Sequence, residues 1–324
     1  MISFVLGVED LADTRFALSP VHEALLSLRV LQDPGLSALH LPWRRSVLAQ
    51  FGELDASLLM ALVARRRTIP DFLTPNPAGF APDFAEELAI VRRVPAVRVR
   101  HDLLLAHAPD RPPAALRDAL DGDDARIAAL RDAICDVLQR YWDLALKPIW
   151  PKARLVAEAD MTYRARRLAV GGARLLFADM HPNLRWHDGV LHIDQMISHF
   201  RVEAAGRGLL LMPSVFAHKP APPVSPDEAP SLVYPCRGTA TLFAAVPVAT
   251  SAALTALLGA PRARLLTLLA EPAPTAELAR RLKVTPSAVS QHLKVLHAVG
   301  LVTRARDGRQ VLYQRSPLGD QLVP

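Results

Sequence analysis

Four side chains in PSAVSQHLKVLHAVG, residues 286–300, stand at a spacing that could do chemistry. Ser287, Ser290, Gln291 and Lys294 recur at i, i+3, i+4 and i+7, which places them along one face of a helix. A Gln amide carries the donor and acceptor that match adenine, a Ser hydroxyl suits several bases, and a Lys ammonium suits guanine or phosphate. No acidic residue accompanies them, whereas a helix face that is merely solvated more commonly carries Glu/Lys pairs. The chemistry this pattern supports is recognition of base edges and phosphates, not bond making.

The elements that must position these groups are also written locally. Val289, Leu293 and Leu296 form the stripe that a core would bury on the opposite face. Thr285 is a side-chain cap followed by Pro286 at the first helical position, and Gly300 supplies a left-handed stop. Upstream, TAELARRLKV predicts a shorter helix capped by Thr275, with a break at Val284-Thr285. Downstream, LVTRAR-DG-RQVLYQ reads as two alternating strands about an Asp307-Gly308 turn. That register sets Arg306 opposite Arg309, with Arg304 and Arg315 nearby. Like charges directly opposite destabilise a hairpin, and a phosphate backbone would neutralise them. Two helices across a tight break, then a basic hairpin, predict a winged helix-turn-helix whose second helix enters the major groove. The expected DNA contacts are Thr275, Ser287, Ser290, Gln291, Lys294, Arg304, Arg306, Arg309 and Gln310.

Charge supports the assignment. Residues 262–324 hold 10 basic and 4 acidic side chains, and this excess equals the +6 of the whole 324-residue chain. A basic module on a neutral body is the electrostatic pattern of a phosphate contact, which gains by releasing condensed counterions.

GAPRARLLTLL…TAELARRLKVTPSAVSQHLKVLHAVGLVTRARDGRQVLYQ, about residues 252–316, resembles the winged helix-turn-helix of the ArsR family of bacterial repressors. The resemblance rests on the Ser-x-x-Ser-x-His-Leu-x-x-Leu core, the Gly-Leu-Val and the Gly-Arg wing. It implies recognition-helix contacts by Ser287, Ser290, Gln291 and Lys294 and wing contacts by Arg304, Arg306 and Arg309. Metal-sensing members carry a Cys-x-Cys-type site on the helix before the recognition helix, but AELARRLKV has no thiol, so neither a metal nor a cofactor is expected. Small members dimerise through terminal helices. PLGDQLVP is barely one turn, so dimerisation would fall to the helix near Ser251–Leu258 or to the N-terminal region. That region, through RFALSPVHEALLSLRVL, PDFLTP and SLVYPCRGTA, resembles an uncharacterised domain that precedes such winged helices in bacterial, often actinobacterial, regulators.

The remaining sequence predicts an α+β chain in three parts. Residues 1–155 are mainly helical: Ser19-Pro20 opens a helix over VHEALLSLRVL, and RRSVLAQFGELDASLLMALVARR, FAEELAIVRRV and DDARIAALRDAICDVLQRYWDLAL continue the pattern. IPDFLTPNPAGFAP reads as a rigid connecting loop, with the wall of a ligand pocket as its alternative. Residues 156–250 form a β-rich middle region packed on the first, with RLLFADM, LRWHDGVLHI, GLLLMPSVFAH, SLVYPC and TATLFAAV as strand-like segments and a type I′ turn at Asp188-Gly189. HKPAPPVSPDEAP is a loop between two of these strands. Residues 251–324 are the winged module. His181, His187, His192, His199 and His218 match no metal-ligand spacing and read as locally satisfied. Cys135 and Cys236 read as buried thiols in a reducing compartment.

No signal peptide and no membrane span are expected. The sequence therefore predicts a cytoplasmic, nucleoid-associated regulator that binds double-stranded DNA, most simply a dimeric repressor with a small organic effector or a protein partner for its N-terminal region. The alternative is an enzyme with an appended DNA-binding domain. The first 250 residues contain no Gly-x-Ser-x-Gly, no phosphate-binding Gly loop and no His-Glu-x-x-His, so no enzyme is predicted.

Overall fold

The computed structural model describes residues 1–243, 251–307 and 310–323. It is mixed helix and sheet, and it divides into two compact units, Met1–Ala244 and Ala245–Pro324. The helical front and the β-rich middle of the sequence share the first unit. Among the described residues no helix is long and apolar enough to cross a membrane.

In the N-terminal unit, Ser19 caps α1 (Pro20–Gln32) by accepting the amide of His22 at 3.1 Å, with Pro20 at the first helical position. Nearly every residue of α1 is buried, so it is the central rod of the unit. The helices Phe84–Val91 and Ala96–His107 and the long α2 (Asp124–Tyr141) contribute to one apolar core with it. The run from Arg44 to Arg66 is not one helix. It breaks into Leu41–Leu48, a 3-10 turn at Phe51–Glu53 and Ala56–Ala61, because Asp55 starts a new helix by accepting the Leu58 amide at 3.0 Å.

Next comes α3 (Trp150–Phe177), which bends at Gly171 and Gly172; the latter has φ 64° and ψ −163°, a conformation essentially reserved for glycine. RLLFADM therefore continues a helix and is not a strand. The glycine pair and the β-formers after it conceal the helical continuity, and burial of Leu176 and Phe177 decides it. TATLFAAV departs likewise: Thr239–Leu242 is a helical turn, and the rest of the segment, Ala244 onward, lies outside the described residues.

Two small sheets complete the unit. The first runs β3 (Leu184–His187), β4 (Val190–Ile193), β1 (Ile2–Val5), β5 (Phe200–Glu203), with β1 antiparallel to β4 and parallel to β5. Its β3–β4 hairpin sets Arg185 opposite His192 and His187 opposite Val190, as a two-residue turn at Asp188-Gly189 requires. Asp188 and Gly189 both have positive φ, 49° and 75°, as a type I′ turn requires. The second sheet orders β2 (Arg15–Phe16), β6 (Leu210–Ser214) and β7 (Ser231–Pro235), all parallel. Every residue of β6 is buried, as expected of a parallel strand covered on both faces. Cys135 and Cys236 are buried free thiols, raised to about 11 and about 12 chiefly by burial.

The C-terminal unit follows the order α4 (Ser251–Leu258), α5 (Ala260–Leu268), β8 (Ala273–Pro274), α6 (Thr275–Leu282), α7 (Pro286–Ala298), β9 (Val302–Asp307), β10 (Gln310–Arg315) and α8 (Pro317–Leu322). Its sheet runs β8-β10-β9, antiparallel throughout. Leu254, Leu265, Leu266, Leu278, Val289, Leu293, Leu296 and Val302 are buried in a core of its own.

Candidate nucleic-acid interface

The turn between α6 and α7 is three residues long. Lys283 ends α6 with φ 55° and ψ 45°, Val284 follows, and Thr285 starts α7. Thr285 accepts the Ala288 amide at 3.3 Å, and Pro286 occupies the first helical position, where a missing N–H costs nothing. Gly300, at φ 75°, closes the far end. The left-handed Lys283 escaped the sequence reading. Its signal was a required reversal with no glycine to make it, and it adds an exposed cation two residues before the cap.

On α7 the two stripes separate as the spacing predicts. Val289, Leu293 and Leu296 are completely buried, while Ser287, Ser290, Gln291 and Lys294 are all exposed. None of these four polar side chains makes a hydrogen bond or ion pair with the described residues, so their bonding capacity is free for a ligand. No acidic residue lies in the first turn of α7 to offset the positive end of the helix dipole.

Thr275 does not cap α6. Pro274 occupies the cap position, and Thr275 is the first helical residue and half-buried. The reason is the sheet: Pro274 pairs with Leu312 of β10, and this extends the backbone up to the proline and starts the helix directly after it.

The wing differs from its predicted register. Asp307 pairs with Gln310, Arg306 with Val311 and Arg304 with Tyr313, so Arg306 does not face Arg309. The base of the hairpin sets this pairing. Arg315 lies opposite Val302 and donates its amide to Leu269 at 3.1 Å, and Ser316 donates to Leu301 at 3.1 Å. The same-side alternation of a strand still puts Arg304 and Arg306 on one face, and both are exposed. Arg315 is paired with Asp320 at 2.8 Å and Arg281 with Glu277. Gly308 and Arg309 lie outside the described residues; Gln310 begins β10.

The module thus presents a polar helix face, a capped helix N-terminus and a two-stranded basic wing on one small core, the architecture of a winged helix-turn-helix. Residues 262–305 match the model of a protein family described as a helix-turn-helix domain. No curated protein and no solved structure gives a significant match to the chain. The matched segment runs from the start of α5 through α6 and α7 into β9 and contains the recognition-helix face. The chain carries a helix-turn-helix domain, whose partner is DNA and whose setting is transcription regulation.

Proposed function

We propose that this protein is a transcriptional repressor of the kind found in the ArsR family, acting as a homodimer. In this reading α7 lies in the major groove, with Ser287, Ser290, Gln291 and Lys294 toward base edges and neighbouring phosphates. Arg304, Arg306, Arg309 and Gln310 of the wing, together with Thr275, approach the sugar-phosphate backbone. The observation that carries the reading is the α7 face, four exposed polar side chains without an intramolecular partner, backed by three fully buried apolar ones. Dimerisation would use α4, where Leu257 is 72% exposed, or the N-terminal unit. The N-terminal unit would sense an effector, and the chain performs no catalysis. An effector can shift operator occupancy only if it binds the DNA-competent and DNA-incompetent states with different affinity.

A gel-shift titration of the full chain with DNA from upstream of its own gene tests the proposal. A specific shift that weakens steeply with salt, and that disappears in the double variant Gln291→Ala, Lys294→Ala, is expected. A folded protein that shifts no upstream fragment at low salt overturns it.

A further inference from the structure

The N-terminal unit contains an open cleft of about 110 Å³, bordered by α1 and by the two proline-bearing loops of the sequence, residues 66–76 and 219–224. Ile69, Asp71, Thr74 and Asn76 contribute to its wall, so the loop IPDFLTPNPAGFAP does line a pocket. The cleft combines apolar groups, notably Leu26, Ile69 and Val233, with the cations Arg29, Arg66, Arg67 and Lys219.

The cations outnumber the carboxylates left to neutralise them. Asp71 is occupied by the amides of Val224 and Ser225, at 2.9 and 2.7 Å. Glu228 is paired with Arg98, and Arg67 with Asp33. Arg29, Arg66 and Lys219 have no carboxylate partner among the described residues. Arg29 is the telling member. It is only 8% exposed, its Nε is buried without a partner, and it donates no hydrogen bond to any described group. A guanidinium so largely buried carries a desolvation cost that no charge partner among the described residues offsets. The last turn of a helix favours a cation, and Arg29 lies in the last turn of α1, but its side chain reaches none of the orphan carbonyls there. The mutual repulsion is visible in its neighbours. Burial and Arg67 push Arg29 down to about 10, and burial, Arg29 and Lys219 among others push His218 down to about 4. Lys219 is lowered by burial, Arg29 and Arg67.

We propose that this cleft binds a small organic acid, its carboxylate held by Arg29 and Lys219 and its apolar body covered by Leu26, Ile69 and Val233. An inorganic anion would leave the apolar lining unused, and a neutral compound would leave Arg29 unpaired. The proposal rests on the reading of the N-terminal unit as the effector-sensing part, and it gives that effector a chemical class.

Calorimetric titration of the full chain with benzoate, its neutral isostere benzamide and inorganic phosphate is the test. Benzoate should bind and benzamide should bind at least about tenfold more weakly, the scale expected when a charge partner is lost in a desolvated site. Arg29→Met should lose benzoate by at least about tenfold while remaining folded, since it removes an uncompensated buried charge. Lys219→Met, nearer solvent, should lose a smaller factor. Absence of benzoate binding at millimolar concentration, equal binding of benzamide, preference for phosphate, or unchanged benzoate affinity in Arg29→Met each overturns the proposal. Gel shifts on the same preparations separate the two readings. A DNA shift without benzoate binding sinks only the cleft, and benzoate binding without a DNA shift sinks only the regulator.

Discussion

The hydroxyl of Ser316 donates to the carbonyl of Gly300 at 2.6 Å, so the residue after the wing is tied to the residue that ends the recognition helix. The same oxygen accepts the amide of Gly319 at 3.1 Å and thereby caps α8. One side chain thus joins the end of α7, the end of the wing and the start of α8. Ser316→Ala should lower the stability of the C-terminal unit by about 1–2 kcal/mol, a lost cap plus an unsatisfied carbonyl. Urea denaturation of the full chain, followed by a probe in this unit, measures it. An unchanged midpoint would show that the hydroxyl contributes nothing. Gly319→Ala should be worse, because its new Cβ would run into the Leu301 backbone, which cannot swing aside.

The exposed face of α7 predicts two different kinds of loss. Lys294→Ala removes one potential phosphate or guanine partner, so it should flatten the dependence of log K on log salt by about 0.9 if the partner is a phosphate. Gln291→Ala should leave that slope alone and cost about 1–3 kcal/mol of discrimination at one base position. Fluorescence anisotropy across a salt series, with operator and scrambled duplexes, distinguishes these. Equal affinity of the Gln291 variant and the parent for both duplexes would remove Gln291 from the readout.

What could be read in advance was the local grammar. Ser19-Pro20, Thr285-Pro286 and Gly300 mark helix ends because capping is satisfied within four residues, and the β3–β4 hairpin followed because Asp188-Gly189 carries its own turn geometry. The failures are places where distant chain decides. The wing pairing is set at its base by Leu269 and Leu301, not at its Asp-Gly tip. Pro274 replaces Thr275 as cap because β10 pairs with it. RLLFADM is helical because sheet residues such as Phe4 and Leu191 share a core with Leu176 and Phe177. Arg29 shows in the sequence as a cation among leucines, but the cleft around it exists only once residues 66–76 and 219–224 have met.

Glu87 predicts a pH dependence of the N-terminal unit. Its Oε2 accepts the Val21 amide at 2.9 Å and the Ser19 hydroxyl at 3.0 Å, so it closes the start of α1 from a separate helix. Burial nevertheless pushes its carboxyl up to about 7, outweighing those bonds. A folded-state pKa above the unfolded one means that the folded form binds the extra proton. Its stabilisation is therefore complete below about pH 4.5 and is lost as pH rises toward 7. Glu23, raised to about 7 by burial, acts in the same direction. The contribution of these two carboxyls to the melting temperature should thus fall between pH 5 and 7, by about 2–4 °C for each kcal/mol lost, against an opposite contribution from His22 and His218, which burial pushes down to about 3 and about 4. Glu87→Gln, which keeps an acceptor for Val21 and Ser19, removes the Glu87 share, so the variant's melting temperature should gain on the parent's as pH rises from 5 to 7. A variant profile parallel to the parent's would rule Glu87 out as a source.

Two buried arginines should respond oppositely to the same substitution. Arg164 on α3 is fully buried, bonds Asp179 at 2.5 Å, and its Nε stands 3.8 Å from Asp160 Oδ2, whose side chain is also fully buried. Tyr163 and Tyr234 flank its guanidinium, with ring centroids at 5.3 and 6.0 Å. Arg164→Met leaves Asp160 as an uncompensated buried charge, a change that costs about 3–5 kcal/mol where one partner of a buried pair is removed. Arg29, buried but for 8% of its surface and lining the open cleft, has no charge partner among the described residues, so Arg29→Met removes a desolvation cost and leaves no carboxylate unpaired. It should raise the melting temperature of the unliganded chain. Thermal unfolding of both variants beside the parent reads the two signs directly. A fall for Arg29→Met comparable with that for Arg164→Met would mean that its guanidinium is already satisfied in the free protein. In the other outcome, stabilisation by Arg29→Met would mean that the unit maintains this charge at a cost, as a site awaiting an anion must.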